Sequence, residues 1–218
     1  MLSYAEENYL KAIYHLSDSG RHSVGTNAIS EVLKTKPASV SDMIKRLSDK
    51  GYVSYKKYKG VNVAIKGKKA ALQVIRKHRL WEVFLVDKLH FNWDEVHDIA
   101  EQLEHIKSPL LVKKLDAFLG FPKIDPHGDP IPDENGEIIV GKKVPLTDVA
   151  LHKQVMVTGV ESSESDFLSH LDKINITLGT KITILDINNF DGSMHVDIQG
   201  HPTLFISKQV ADNLLVTE

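Results

Sequence analysis

The sequence predicts an α+β chain in three parts: a helical N-terminal module closed by a basic hairpin, a helical middle, and a small β-barrel at the C-terminus. Three observations predict it. Apolar residues recur at helical spacing through about residue 120, broken once near 52–65 by strict alternation. A stretch rich in Pro and Gly, FPKIDPHGDPIPDENGEIIVGKKVPLT at 121–147, then interrupts the pattern. Beyond it the apolar period is two, in short segments separated by turns.

In YAEENYLKAIYHL at 4–16, Tyr4, Tyr9, Leu10, Ile13, Tyr14 and Leu16 fall near one helical face. Thr26 or Asn27 suits the cap of a second, short helix, AISEVLK. A third opens at Pro37, buries Val40, Ile44 and Leu47, and stops at Gly51. Two short helices joined by a tight turn are the sequence form of a helix-turn-helix. YVSYKKYKGVNVAI follows, with Val61, Val63 and Ile65 on one side of a Lys-Gly turn, a hairpin. Three helices and a basic hairpin in that order make a winged helix. A long helix is expected over about 68–89, another from Asp94 to about 106, and a third from Pro109. After the linker, VMVTGV, TKITILDI, SMHVDIQG and TLFIS read as strands and DFLSHLDKI as one helix, which describes a small barrel. The expected domains are 1–72, 73–121 and 148–218, with 122–147 as linker.

Composition narrows the function. With 42% apolar and 26% charged residues the 218-residue chain is of ordinary globular make-up. It has no apolar run of the ~20 residues a membrane helix needs, and MLSYAEENYLK is not a signal peptide. Cysteine is absent, so a disulfide framework is excluded and any metal site uses nitrogen and oxygen ligands. A cytoplasmic protein without membrane partners is expected. The net charge of −2 conceals an asymmetry: residues 1–72 hold 13 Lys and Arg against 6 Asp and Glu, and the rest hold 14 against 23. A basic module on an acidic body points to a polyanion at one end.

Histidines and carboxylates concentrate in the middle. At 100° per residue, positions 97, 101, 104 and 105 lie at about 0°, 40°, −20° and 80°, so His97, Glu101, Glu104 and His105 share a helical face. His78 and Glu82 form an i, i+4 pair on the preceding helix. Such a gathering of carboxylates repels itself unless a cation is present. Imidazole and carboxylate suit manganese, iron(II), cobalt or zinc better than copper(I). A carboxylate-bridged metalloenzyme is the main competing reading, but those sites use Glu-x-x-His on two helices, whereas the spacing here is Glu101-x-x-Glu104-His105. A winged-helix regulator with a merely structural patch is the other. No nucleophile or Gly-rich phosphate loop calls for an enzyme.

The winged helix, RKHRLWEVFL, VHDIAEQLEHI, GFPKIDPHGDPIP and the C-terminal barrel together resemble the diphtheria toxin repressor and manganese transport regulator family over nearly the whole chain. The resemblance implies a homodimeric, metal-dependent repressor with an SH3-like, FeoA-like C-terminal domain. It would bind double-stranded operator DNA and control manganese or iron uptake genes. It implies Mn(II) or Fe(II) as cofactor, at two sites per subunit. By position, Asn8, Glu101, Glu104 and His105 match the primary site. His78, Glu82 and His97, with Asp166 from the C-terminal domain, match the second; in longer manganese-type members the linker supplies ligands there instead, at Asp125 and His127. Glu101 stands where iron-type members have cysteine, Asn8 is a neutral donor, and Lys11 replaces a glutamate of the short manganese regulators. Ser39, Ser41, Asp42 and Lys45 fall in the first turns of the recognition helix, Arg46 at a phosphate-gripping position, and Lys56, Lys57 and Lys59 on the wing.

Overall fold

The computed structural model describes residues 2–56, 59–138 and 141–217. They divide into two compact units. One gathers Met1–His78, Glu101–Val112 and Pro132–Ile138; the other gathers Arg79–Ala100, Lys113–Ile131 and Ile139–Glu218.

In the first unit, α1 (Tyr4–Leu16) begins with a capping box. Ser3 Oγ accepts from the Glu6 amide at 3.3 Å, and the Ser3 amide donates to Glu6 Oε2 at 2.9 Å, which satisfies two otherwise orphaned groups. Leu10 and Ile13 are fully buried. Helix α2 (Thr26–Val32) is capped by Gly25 without a side-chain bond, so neither Thr26 nor Asn27 fills the expected role. Helix α3 (Pro37–Asp49) starts on its proline and buries Val40, Ile44 and Leu47, as their spacing predicts. The hairpin pairs β1 (Val53–Lys56) with β2 (Gly60–Val63), Val53 opposite Val63. Gly60 has φ +86°, and a Cβ there would lie 2.7 Å from the Val24 carbonyl oxygen, so glycine is required. The expected strand residue Ile65 is instead the first residue of α4 (Ile65–Leu89) and almost wholly exposed. The strand stops because the Ala64 amide turns to the Tyr52 carbonyl, and the Ala64 carbonyl already accepts from Lys68. Ala71, Leu72 and Ile75 of α4 complete the core.

The Pro/Gly-rich segment is no loose linker. Its 132–138 portion packs in the first unit, where Arg76 donates to the Pro132 carbonyl and Gln73 to that of Glu134.

In the second unit, the end of α4 and the start of α5 (His97–Leu103) bury Leu85, Val96 and Ala100 together. Helix α5 is shorter than its apolar pattern suggests, and residues 104–105 form a turn after it. Helix α6 (Pro109–Phe118) follows, opening on its proline. Residues 123–131 fold back on themselves: the Asp125 amide donates to the Asp129 carbonyl and the Ile131 amide to that of Lys123. A Cβ on Gly128 would sit 2.2 Å from the Thr158 carbonyl oxygen, so this turn lies directly on the sheet. The sheet is antiparallel, in the order β3-β8-β4-β5-β6-β7. Its strands are β3 (Val144–Pro145), β4 (Gln154–Val160), β5 (Lys181–Ile187), β6 (Met194–Ile198), β7 (Leu204–Ile206) and β8 (Leu214–Thr217). Bulges between Val157 and Gly159 and between Ile184 and Asp186 bend it over one core, with α7 (Ser165–Lys173) supplying Leu168 and Leu171. Strand β3, helix α8 (Lys208–Asn213) and β8 were not among the expected elements.

Candidate metal centres

The helical wheel placed four ligands on one face by assuming one helix through His105, whereas α5 ends at Leu103. Glu104 and His105 turn toward α1 in the first unit, while His97 faces Glu82 in the second.

In the first unit Glu104 is completely buried and its two oxygens differ in surroundings. Oε2 accepts from Lys11 Nζ at 2.8 Å and from His78 Nδ1–H at 2.7 Å. Oε1 has no hydrogen-bond partner among the described residues, nor has His105 Nε2, and these two buried atoms face each other at 3.5 Å. The other His105 nitrogen, Nδ1, donates to Glu7 Oε2 at 2.6 Å, which leaves a lone pair on Nε2 in the neutral ring. The Tyr4 ring lies 3.8 Å from the imidazole, centroid to centroid. Glu101 Oε1 accepts from the same Lys11 ammonium at 3.0 Å. Burial pushes the Glu104 carboxyl up, but the His78 hydrogen bond and the Lys11 charge outweigh it and hold it below the usual carboxylate range.

Two orphaned donor atoms 3.5 Å apart match two ligands of one ion, which at bonds of about 2.1 Å stand about 3.0–3.4 Å apart. A carboxylate behind the ligating imidazole is the usual outer partner of such a ligand. The residues present therefore fit a divalent metal. Asn8 is half-buried on α1; it is the adjacent Glu7 that meets His105.

In the second unit Glu82, Asp125 and His127 are all buried and bring a ligand atom each within 4.8 Å of one another. Glu82 Oε1 lies 3.6 Å from Nδ1 of both His127 and His97. His127 Nε2–H donates to the Trp93 carbonyl at 2.8 Å, so its Nδ1 lone pair is turned toward Glu82. Asp125 Oδ1 accepts the amides of His127 and Asp129, both at 2.9 Å, while Oδ2 is 3.3 Å from Arg79 Nε. Burial, with the Glu82 and Asp129 charges, pushes the Asp125 carboxyl up to about 7 against the pull of Arg79 and His127. Burial alone would lower His127, but its contact with Glu82 and the Asp125 charge carry it upward. Of the two ligand sources left open by the sequence, both reach Glu82: the turn at 123–131 delivers Asp125 and His127, and α5 delivers His97. Asp166 is exposed in the first turn of α7 and joins neither group. The contacts of α7 with this region run through Ser169, which donates to Asp94 at 2.6 Å, and Asp172, which accepts from Trp93 Nε1 at 3.0 Å.

The expected DNA-contacting residues lie on the first unit's surface. Ser39, Ser41, Asp42, Lys45 and Arg46 are exposed on α3, and Lys56 and Lys59 on the hairpin; Lys57 lies outside the described residues. Ser41 Oγ donates to the Pro37 carbonyl at 3.1 Å.

Sequence reasoning makes Glu7 only the second choice after Asn8 for tying the first helix to the ligand helix, notes Lys11 only as a departure from the family pattern, and gives no role to Arg79. Glu7 and Lys11 stand four residues apart on one face of α1, an available but nonspecific signal.

Comparison with known proteins places these groups in context. Residues 1–61 match the iron dependent repressor N-terminal DNA binding domain, 65–133 its metal binding and dimerisation domain, and 144–218 the FeoA domain. The chain is 27% identical over 217 residues to the iron-dependent repressor IdeR of Mycobacterium leprae, covering 94% of this chain and 93% of that protein. Among solved structures it is similar to a manganese-dependent transcriptional repressor in complex with manganese, at 32% identity and TM-score 0.88 over 98% of this chain and 99% of that one. It is also similar to ScaR with bound Cd2+, at 28% identity and TM-score 0.81, over 98% and 99% of the two chains.

Proposed function

The chain belongs to the iron-dependent repressor family of metal-dependent, DNA-binding transcriptional repressors, and on that footing we propose which residues hold the metal and how it acts. Glu104 and His105 are the central ligands of an activating site, with Glu101 and Asn8 as further donors and Glu7 and His78 as their outer partners. The observation that carries this is the buried pair Glu104 Oε1 and His105 Nε2, each without a hydrogen-bond partner among the described residues. Glu82, Asp125 and His127 hold a second ion, with His97 beside Glu82. An all nitrogen and oxygen donor set accepts Mn(II), Fe(II), Co(II) or Zn(II), and family membership points within that set to Mn(II) or Fe(II).

A bound dication supplies positive charge that draws carboxylates and imidazoles together. The residues of this chain do the rest. Glu7 and His105 link α1 to the 104–105 turn, so drawing the ligands in fixes α1 against that turn within the unit that carries α3 and the wing. The exposed face of α3 and the basic hairpin then meet operator DNA, Arg46, Lys56 and Lys59 at phosphates, and Ser39, Ser41, Asp42 and Lys45 near base edges. We propose a cytoplasmic homodimer on a two-fold operator of manganese or iron uptake genes. Leu89, Phe118, Phe121 and Ile124 of the second unit are exposed and apolar, as a dimer face requires. No described helix is long and apolar enough to cross a membrane. Metal and DNA must each tighten the other's binding.

The test is a titration of Mn(II), and anaerobically of Fe(II), against DNA fragments selected by the protein. Binding that rises with metal for the wild type and not for Glu104→Gln is the expected result; equal binding with and without metal would refute the assignment.

A further inference from the structure

The ammonium of Lys11 touches two carboxylates of the activating site at once, Glu104 Oε2 at 2.8 Å and Glu101 Oε1 at 3.0 Å. Its side chain is only 15% exposed, and its Glu104 partner is fully buried. We propose that Lys11 is the built-in cation of the metal-free site and competes with the divalent ion for the charge of Glu101 and Glu104, thereby setting the metal concentration at which the protein responds. This rests on the assignment of Glu104 and His105 as metal ligands.

The argument is electrostatic and geometric. Glu7, Glu101 and Glu104 bring three carboxylates to His78 and His105. Such a group is costly to bury without a cation, and Lys11 supplies one from the chain itself. On Glu104 it uses Oε2 and not the orphaned Oε1 that faces His105 Nε2, so those two atoms stay open while the carboxylate charge is partly spent. When a dication enters, it meets a carboxylate already sharing its charge, and an ammonium a few ångströms away that must be tolerated or displaced. Even at the dielectric constant of water, a unit charge about 5 Å from a dication changes affinity by about tenfold or more. A lysine suits this role because its ammonium is a compact charge on a flexible stem that can swing toward solvent, whereas a planar guanidinium would stay forked to its partners.

Lysine has a second effect on the metal-free protein. Removing it takes away the ammonium that Glu101 and Glu104 share, so the metal-free form loses stability and depends more on metal to recover it.

The experiment uses the full chain stripped with a chelator, and reads metal uptake rather than DNA binding. Free Mn(II) is followed by electron paramagnetic resonance during titration of wild type, Lys11→Met and Lys11→Arg, and the melting temperature of each is measured with and without Mn(II). Lys11→Met is expected to bind one of its Mn(II) equivalents about tenfold or more tightly than wild type. It should also melt lower when stripped and gain more from metal, while Lys11→Arg, which keeps the charge on a fork that does not swing away, gains no affinity over wild type. If Lys11→Met does not fold, Lys11→Gln carries the same expectation. Unchanged or weaker binding in the uncharged variant, with wild type still taking up Mn(II), would overturn the competition while leaving the metal assignment standing. A wild type that takes up no Mn(II) would overturn both.

Discussion

In the first unit the cation that offsets the carboxylates is Lys11, held on Glu101 and Glu104. In the second it is Arg79, whose Nε lies 3.3 Å from Asp125, whose NH2 lies 2.8 Å from Asp129, and whose NH1 donates to the Pro130 carbonyl. The two cations do different things. Lys11 is a point charge shared between the Glu101 and Glu104 carboxylates. The Arg79 fork cross-links both ends of the 125–130 turn, and the Asp125 carboxylate that it faces is also pinned by two backbone amides. One group is held by ion pairs and hydrogen bonds between side chains. The other is mechanically built, with three buried ligand atoms already within 4.8 Å of one another. From this contrast we propose a switching role for the first group and a scaffolding role for the second.

The largest effects should follow from the first group. Glu104→Gln keeps the side chain's volume but halves its capacity to accept, and His105→Ala deletes the opposing ligand. Each is expected to raise the Mn(II) needed for DNA binding by about a hundredfold or more, since outer-shell changes alone cost 10–100-fold. Gel-shift titration with metal checks it, and full activation at the wild-type metal level in either variant would break the comparison. Glu104→Ala is the poorer probe, because stranding Lys11 and His78 costs about 3–5 kcal/mol of stability.

Next in size come Glu82→Gln and His127→Ala. If the second group is scaffolding, each variant loses one equivalent of bound metal by elemental analysis, yet retains metal-dependent DNA binding at higher metal. Loss of all metal-dependent binding would make the second group the switch and reverse the assignment.

A smaller effect is expected from Glu7→Gln. The amide oxygen still accepts from His105 Nδ1, so the ring keeps its orientation, but the carboxylate charge that makes Nε2 a better donor is gone. About a tenfold loss in affinity for one Mn(II) equivalent is expected. No change would mean that Glu7 only braces α1.

Which parts were legible in the sequence follows from how local their causes are. The starts of α1 and α3 could be read, one from its helical period and the other from Pro37, and so could the change of period that marks the sheet. Glu104 and His105 were legible as a pair, but the wheel that grouped them with His97 assumed a helix continuing past Leu103. The chain turns there. The choice between Asn8 and Glu7 as the partner of His105 depends on packing between residues 98 positions apart, for which a single sequence holds no signal. The turn at 123–131 was read as spacer because Pro and Gly signal loops. The same residues permit the close approach of Gly128 to the sheet that buries Asp125 and His127. Strand β8 was missed because the tail after TLFIS is short and adjoins a six-residue helix, where neither period has room to show.

The smallest effects sharpen the second group's boundary. Asp166, expected from position as a ligand, is exposed at the start of α7, and Asp166→Ala should leave the affinity for both Mn(II) equivalents within about twofold of wild type, as surface changes do. Asp172 lies farther along α7 and has no place in the ligand group, yet it accepts from Trp93 Nε1 at 3.0 Å on both oxygens. The Trp93 carbonyl in turn accepts from His127 Nε2, and the indole lies nearly parallel to the His127 ring, 6.1 Å away. Asp172→Ala frees the indole and loosens the carbonyl that orients His127, so a loss of about threefold to tenfold at one Mn(II) equivalent is expected, at the low end of outer-shell effects. The two variants measured side by side separate a ligand from a positioning residue. A large loss with Asp166→Ala and none with Asp172→Ala would restore the C-terminal domain as a direct ligand donor and return the second group to the arrangement the sequence suggested.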